Sequence, residues 1–331
     1  MSDTARTTGP LTAGDFDRLR AARHENPDAI ADVLGARIRR PLVRGDRRLL
    51  IVAADHPARG ALGVGSDAMA MADRYDLLQR MALALSRPGV DGVLGTPDVI
   101  EDLALLGLLD DKIVVGSMNR GGLRGAAFEM DDRYTAYDVP AMRRGGLDFG
   151  KLLVRVDLED PGTVATLEAT ARAVDAAAAA KLPIMLEPFM SRRTDGKIGN
   201  DLSTEAVINS VAIASGLGNT SAYSWLKLPV VDDMERVMAA TTLPTLLLGG
   251  DPGGALDTAT TVLGHGRGDG LRPQRGGAVR ALPPRAAQRW IARRLCRRPG
   301  AQAHPARPRG AERRRAGRAL LSHWVGATVA A

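Results

Sequence analysis

Seven short apolar runs alternate with longer segments of helical pattern between residues 49 and 248, and this rhythm constrains the fold more than any other feature. Successive runs are spaced by roughly 20–40 residues, which is enough for a crossover helix and too long for a hairpin turn. Runs that are apolar on both faces suit a sheet covered by helices on both sides. We therefore predict parallel strands at 49–54, 92–95, 113–116, 151–156, 183–186, 225–229 and 245–248. The predicted helices are 69–85, 99–108, 139–144, 163–180, 204–216 and 233–240.

A doubly wound sheet and a (β/α)8 TIM barrel are both built from such units. No GxGxxG motif follows an early strand, and polar residues stand at the C-terminal end of nearly every run. A barrel gathers its active site on that face. The pattern therefore favours a (β/α)8 barrel over residues 46–263, preceded by an N-terminal helical cap over 1–45. The residues at the strand ends are Asp55, Thr96, Ser117, Asp157, Glu187, Lys227 and Gly250.

The eighth unit of such a barrel is not recognisable, because the composition changes sharply after residue 263. Residues 264–318 contain sixteen arginines, no lysine and only two acids, whereas the net charge of the whole chain is +7. The body is therefore acidic, and the overall charge says little about its partners. We expect the eighth βα unit to be lost or scrambled, which would leave two open strand edges.

Three explanations of the basic segment 264–331 stay open at this point. It could be a disordered tail, a nucleic-acid-binding extension, or the product of a shifted reading frame in a gene of high GC content. The third is favoured, because the change begins where the eighth strand should lie. A nucleic-acid partner is not expected, since no base-reading motif and little aromatic interleaving are present.

Other composition signals exclude several classes of protein. The single cysteine, Cys296, rules out an intramolecular disulfide, and the five scattered histidines give no support to a zinc site. The N-terminus lacks a signal-peptide pattern, and no apolar run reaches ~18 residues. We expect a cytoplasmic protein that does not bind a membrane and has no metal or other cofactor.

Lys227 is the main candidate for chemistry, because it lies inside an apolar run where lysine is seldom buried without a reason. Burial in a barrel would lower its pKa and free the amine to attack a carbonyl group. The alternative is a lysine whose ammonium reaches solvent at the strand end. Glu187, before a proline predicted to break the strand at Pro188, could move protons or be an exposed loop carboxylate.

The same end of the predicted barrel carries further candidates. Asp55 could pair with an ammonium group or cap a helix. Lys151 could face inward as a second cation or be an ordinary charge at the strand entry. It shares a strand face with Arg155. Gly249 and Gly250 could bring backbone N–H groups to a phosphate or form a plain turn.

Together these motifs resemble the class I (Schiff-base) aldolases, specifically the deoxyribose-phosphate, tagatose-bisphosphate and archaeal-type fructose-bisphosphate aldolase superfamily. The resemblance covers roughly residues 46–254, and its motifs occur in the same order as in that family. They are Ala53-Ala54-Asp55-His56, Gly150-Lys151-Leu152-Leu153, Leu186-Glu187-Pro188, Leu226-Lys227-Leu228-Pro229 and Gly249-Gly250.

The resemblance implies a (β/α)8 barrel enzyme in which Lys227 forms the Schiff base. Glu187 would act as acid and base, as in the tagatose-bisphosphate branch, with Asp55 and Lys151 as polar partners. Gly249 and Gly250 would form half of a phosphate site, and we group His56 and Arg155 with them as substrate- or phosphate-binding candidates. The chain departs from the family in lacking a recognisable eighth strand with its Gly-Arg phosphate loop.

The expected function is cleavage or formation of a C–C bond in a sugar or sugar phosphate. The partners considered are this small-molecule substrate and, in a homo-oligomer, further copies of the chain. A dehydratase or a transaldolase would use the same Schiff base. The alternative from another class is an inactive or truncated barrel whose basic tail binds anions or nucleic acid.

Overall fold

The computed structural model describes residues 10–44, 48–64, 66–118, 122–248 and 327–330. Nearly all of the predicted strands and helices fall in these ranges. The predictions for Gly249 and Gly250, and those for the basic segment other than 327–330, lie outside them.

The described residues form nine strands, eight α-helices and one 3-10 helix. The strands are β1 (Leu49–Ala53), β2 (Gly92–Gly95), β3 (Ile113–Ser117), β4 (Phe149–Val156), β5 (Ile184–Thr194), β6 (Lys197–Asn200), β7 (Ser224–Leu228), β8 (Thr245–Leu248) and β9 (Ala327–Ala330). The helices are α1 (Ala13–Glu25), α2 (Ala29–Ala36), α3 (Arg74–Leu85), α4 (Pro97–Leu105), α5 (Val139–Arg144), α6 (Gly162–Ala179), α7 (Thr204–Ser215) and α8 (Met234–Ala239), with the 3-10 helix at Pro57–Arg59.

Seven parallel strands curl into a barrel-like sheet. In the described chain β1, β2, β3, β4, β5, β7 and β8 pair in that order, each parallel to the next. Helices α3, α4, α5, α6, α7 and α8 alternate with them. This arrangement confirms the predicted fold class, a (β/α)8 TIM-barrel-like architecture.

The eighth position of the sheet is occupied by β9, which pairs with both edges that the seven strands leave open. It runs antiparallel to β1, with Leu49 opposite Ala330, and antiparallel to β8, with Leu246 opposite the same residue. The expected open edges are therefore paired. Because a βα unit would supply a parallel strand, the eighth member of this ring is not such a unit.

Pro188 does not end β5, contrary to the sequence prediction. The strand continues to Thr194, pairs with β4 as far as Met190 and then forms an antiparallel hairpin with β6. Proline removes one backbone donor but leaves its carbonyl group free to pair. Another difference concerns α3, which begins at Arg74 rather than near residue 69, because Asp73 caps it by accepting from the N–H groups of residues 75 and 76.

Side-chain alternation along the strands divides the core into two regions. Outward-facing residues such as Leu50 and Val52 pack with the helices. The inward-facing apolar residues form a smaller cluster inside the barrel, where the ring of Phe149 meets that of Trp225 edge-on at 5.2 Å. The members of this interior cluster are Leu49, Ile51, Ala53, Leu94, Ile113, Val115, Phe149, Met185 and Leu246.

Along three strands, the inward-facing side chains change from apolar to charged between one inward position and the next. Lys151 follows Phe149 by two residues, Glu187 follows Met185, and Lys227 follows Trp225. Since residues two apart in a strand share a face, each charged side chain lies directly above the apolar cluster. The fold therefore brings charges from three strands together near the C-terminal end of the barrel.

The opposite end of the barrel is closed by the segment that follows α2. Arg37 forms an ion pair with Asp148 at 3.1 Å, and Arg40 forms one with Asp91 at 2.7 Å. All four side chains are at least nine-tenths buried. These pairs attach the N-terminal helices to the barrel at the end remote from the charged interior.

Candidate active site

The four residues predicted to be catalytic come together at the C-terminal end of the barrel. Lys151, Glu187 and Lys227 are buried on β4, β5 and β7, and Asp55 follows β1 with its side chain only 10% exposed. Their sequence positions are far apart, so the parallel sheet alone places them side by side.

An unbroken chain of contacts joins these four side chains. The Lys227 Nζ lies 2.6 Å from Glu187 Oε1, and the Lys151 Nζ lies 2.6 Å from the other oxygen, Oε2. Lys151 also donates to Asp55 Oδ2 at 3.0 Å. One carboxylate thus bridges the two amines, while the second carboxylate contacts only one of them, Lys151.

The two lysines respond to burial in opposite ways. Burial lowers the pKa of Lys227, and the neighbouring Lys151 ammonium lowers it further, against the opposing effect of Glu187. Burial also acts to lower the pKa of Lys151, but the carboxylates of Asp55 and Glu187 outweigh it and raise that pKa above its usual value. Lys151 is therefore the permanent cation of the group, and Lys227 is the amine that more readily loses its proton.

The carboxylates of the group are held ionised despite their burial. Burial alone would raise the pKa of Glu187, but the ammonium groups of Lys151 and Lys227 bring it down to about 2. Burial opposes ionisation of Asp55 as well, and Lys151 is the main group that keeps the pKa of Asp55 well below its usual range. Both can accept a proton from a bound molecule only after a nearby positive charge is removed or displaced.

Ser117 belongs to the same group of side chains, although it was noted in the sequence only as a polar strand end. It is fully buried at the end of β3 and donates its Oγ hydrogen bond to Asp55 Oδ2 at 3.2 Å. The signal that could have found it is its position two residues after an inward-facing valine, Val115.

His56 lies beside Asp55 at the start of the 3-10 helix. Burial, with help from the positive charge of Arg59, lowers its pKa to about 4, so the imidazole is neutral at physiological pH. Its Nδ1 atom is buried and has no hydrogen-bond partner among the described residues. The predicted role of His56 in binding substrate stays a prediction.

Arg155 faces inward at the end of β4, but carboxylates already engage its guanidinium. It donates to both oxygens of Asp132, at 2.9 and 3.0 Å, and to Glu129 Oε1 at 3.0 Å. Both acids lie in the segment that follows β3, between the predicted strand at 113–116 and the predicted helix at 139–144. The arrangement favours a role in holding this segment against the barrel over phosphate binding, which for Arg155 stays a prediction.

The predicted phosphate ligands Gly249 and Gly250 lie outside the described residues. No group of three or more His, Cys, Asp or Glu side chains is placed to hold a metal ion in the parts of the chain that the structure describes. Across the same ranges, no helix is both long enough and apolar enough to cross a membrane.

Comparison with known families places the barrel among relatives. The family model described as Cgl0159-like matches residues 47–266, about two thirds of the sequence. The chain belongs to the Cgl0159-like family. The crystal structure of Cgl0159 from Corynebacterium glutamicum (Brevibacterium flavum) has 66% sequence identity and a TM-score of 0.72, and the match covers 73% of this chain and 83% of that one.

Two more distant matches are solved structures of aldolases. A Schiff-base-forming fructose-1,6-bisphosphate aldolase has 19% identity and a TM-score of 0.44, with 66% of this chain and 79% of that chain covered. An archaeal fructose 1,6-bisphosphate aldolase has 18% identity and a TM-score of 0.44, with 67% and 80% covered. Likeness at this level says nothing of substrate or activity. None of the curated proteins compared matches the chain.

Proposed function

We propose that this protein is a class I, Schiff-base aldolase-type lyase that cleaves or forms a C–C bond in a sugar or sugar phosphate. The observation that carries the proposal is the buried Lys227 amine, which lies 2.6 Å from Glu187 and has a lowered pKa at the C-terminal end of a barrel. A buried amine whose pKa is lowered gives up its proton more readily, and the free amine is the nucleophile that Schiff-base chemistry needs.

In the proposed reaction the Lys227 nitrogen attacks the substrate carbonyl carbon and forms a carbinolamine. Loss of water then gives an iminium ion. The hydroxyl group on the carbon beyond the bond to be broken gives up its proton, and the C–C bond breaks to release an aldehyde. The electron pair of the broken C–C bond moves toward the iminium nitrogen, which converts the iminium ion into an enamine. Protonation of the enamine carbon and addition of water release the second product and restore the amine.

Glu187 is the proposed acid and base of these steps. Its Oε1 contacts the reacting amine, so it can receive the proton that the amine loses and return one to the departing water. When Lys227 is consumed in the neutral carbinolamine, Glu187 loses one of its two cationic partners, and its pKa must rise. That rise makes it a competent proton donor at the stage that requires one.

Lys151 and Asp55 are proposed to set the charge and orient the substrate. Lys151 stays protonated and thereby disfavours a second ammonium at Lys227. Asp55 holds Lys151 and is itself held by Ser117, so its free lone pairs are fixed for a substrate hydroxyl group. A dehydratase or transaldolase could share this machinery, and identification of the products of a trapped substrate separates these reactions.

The test is reductive trapping. Incubation with dihydroxyacetone and cyanoborohydride should form a secondary amine on one peptide, the one that contains Lys227. The added mass should be that of the ketone plus two hydrogens minus the water released on Schiff-base formation. Lys227→Met should abolish the adduct, whereas Lys112→Met, at the other end of the barrel, should retain it. An equal adduct on Lys227→Met would refute the proposal.

A further inference from the structure

Two large apolar side chains face the barrel interior on the mouth side of the charged group. Leu153 follows Lys151 by two residues on β4, and Phe189 follows Glu187 by two residues on β5. The pairing of β4 with β5 is continuous past both positions, and residues two apart in a strand share a face, so both side chains point inward. Each is only 7% exposed. On these two strands, buried apolar surface therefore lies between the charged group and the mouth; we call Leu153 and Phe189 the mouth pair.

Strand register fixes the position of the mouth pair relative to the Glu187 carboxylate. Leu153 is the β4 partner of Glu187 and lies beside it, at the inter-strand spacing of about 4.8 Å. Phe189 follows Glu187 on the same strand and lies about 7 Å nearer the mouth. The two oxygens of Glu187 contact Lys151 and Lys227. The carboxylate that joins the two amines is thus flanked by an apolar residue on one side and covered by another from the mouth.

The mouth pair is separate from the rest of the apolar core. Outward-facing residues of the same strands, such as Val154, pack in the core under the helices, and the interior cluster lies below the charged group. Among the described residues, Leu153 and Phe189 belong to neither of these clusters. The next inward residues toward the mouth are polar again, Arg155 and Ser191, and they bond to neighbouring side chains. The mouth pair therefore forms an apolar layer between two polar ones.

We propose that the mouth pair holds water away from the Glu187 carboxylate and the Lys227 amine, and that Leu153 and Phe189 are thereby positioning residues for the Schiff-base reaction. The inference rests on the proposed function, which it deepens by naming the residues that keep the reacting amine dehydrated. The interior cluster covers the charged group from below and the sheet encloses it at the sides, so water would enter from the mouth. Polar side chains at positions 153 and 189 would hydrogen-bond to that water, whereas leucine and phenylalanine have no group that can.

The proton equilibrium of the Lys227 amine reports this exclusion of water. The titratable groups around it are Glu187 on β5, Lys151 on β4, and Asp55 and His56 after β1. At neutral and alkaline pH both carboxylates stay ionised because their pKa values are lowered, Lys151 keeps its proton because its pKa is raised, and the imidazole, with a pKa of about 4, stays neutral. Burial is the largest cause that lowers the pKa of Lys227. Entry of water would therefore move that pKa back up toward its usual value.

The experiment is the pH profile of Lys227 labelling by fluorodinitrobenzene, which reacts with uncharged amines, followed peptide by peptide in the full chain. Leu153→Ala and Phe189→Ala should each move the midpoint in the alkaline direction by about one pH unit, because they restore part of the hydration that full burial removes. The matched control is Val154→Ala, one residue away on β4 but facing the helices, whose midpoint should equal that of wild type. Phe189→Leu stays apolar and should also keep the wild-type midpoint. An opened site admits the reagent more easily, so the midpoint decides and not the rate.

A second measurement uses the wild-type chain alone and does not depend on the folding of a variant. Salt screens buried charges much less than hydrated ones, so the wild-type midpoint should be the same at about 0.05 M and about 1 M chloride. The proposal is overturned by an unchanged midpoint in folded Leu153→Ala or Phe189→Ala, by an equal shift in Val154→Ala or Phe189→Leu, or by a wild-type midpoint that depends on salt. Neither measurement uses a ketone, so failure of ketone trapping would count against the proposed function alone.

Discussion

Replacement of Lys151 by methionine should make the Lys227 amine harder to deprotonate. The two nitrogens each lie 2.6 Å from an oxygen of the Glu187 carboxylate. They are therefore roughly 5 Å apart, where two positive charges repel by about 3 kcal/mol at an effective dielectric constant of about 20. That repulsion is released in Lys151→Met, and Glu187 is left to stabilise the Lys227 ammonium alone. At about 1.4 kcal/mol per tenfold, we expect trapping at pH 7 to slow by about tenfold to a hundredfold.

The assay is the pH dependence of the rate at which dihydroxyacetone and cyanoborohydride modify Lys227. A lysine with a raised pKa is uncharged only at higher pH, so the profile of Lys151→Met should move in the alkaline direction and the rate should recover there. Lys112→Met is the control, because this lysine lies at the opposite end of the barrel and donates to the carbonyl group of Val90.

A second variant guards against misfolding, since Lys151→Met alone leaves the buried Asp55 carboxylate without its main cation. In Asp55→Asn/Lys151→Met one anion and one cation are lost together, and these have opposite effects on the pKa of Lys227. Its profile should therefore lie between those of wild type and the single variant. A folded Lys151→Met protein with the wild-type profile would refute the claim that Lys151 lowers the pKa of Lys227.

Three further predictions concern stability and the basic segment. The pKa of Glu187 is lowered from 4.5 to about 2 in the folded chain. Its ionised form therefore stabilises the fold above about pH 4.5, and this stabilisation is lost as the pH falls toward 2. Over that pH range the Tm of Glu187→Gln should fall less than the Tm of wild type. Asp148→Ala should lower the free energy of unfolding, measured with denaturant, by about 3–5 kcal/mol, because it leaves Arg37 buried without its carboxylate. Glu168→Ala removes an exposed ion pair and should change the free energy of unfolding little. Resequencing the gene across codons 250–270 should reveal a one-base change that restores an apolar strand followed by Gly-Arg; an unchanged reading frame there would contradict the shifted-frame hypothesis.

The strand and helix positions were largely predictable, because parallel strands buried on both faces leave nearly continuous apolar runs. The errors occur where local signals compete with tertiary structure. Pro188 is a strand breaker in isolation, yet β5 continues past it because β4 pairs with the backbone on both sides. The eighth position could not be predicted, because β9 reaches it from a distant part of the chain and with the opposite direction.

The sequence predicted which residues come together in the candidate site, but not which contacts they make with one another. A polar residue two positions after an inward apolar one marks the active face, and that rule finds Lys151, Glu187 and Lys227. It also selects Arg155 as a possible anion ligand. Only the structure shows that Glu129 and Asp132 already bind that guanidinium, because the segment that carries them has no periodic pattern to read.

The division of roles between the two buried lysines follows from a count of their carboxylate contacts. Both ammonium groups are almost equally buried, so desolvation disfavours them to a similar extent. Lys151 contacts Asp55 and Glu187, whereas Lys227 contacts Glu187 only and must share it. The second carboxylate decides which amine keeps its proton, and Asp55 provides it from a strand four positions away in the sheet order from β5. In the proposed mechanism Asp55 would therefore act on Lys227 without touching it, by fixing the positive charge on the neighbouring lysine.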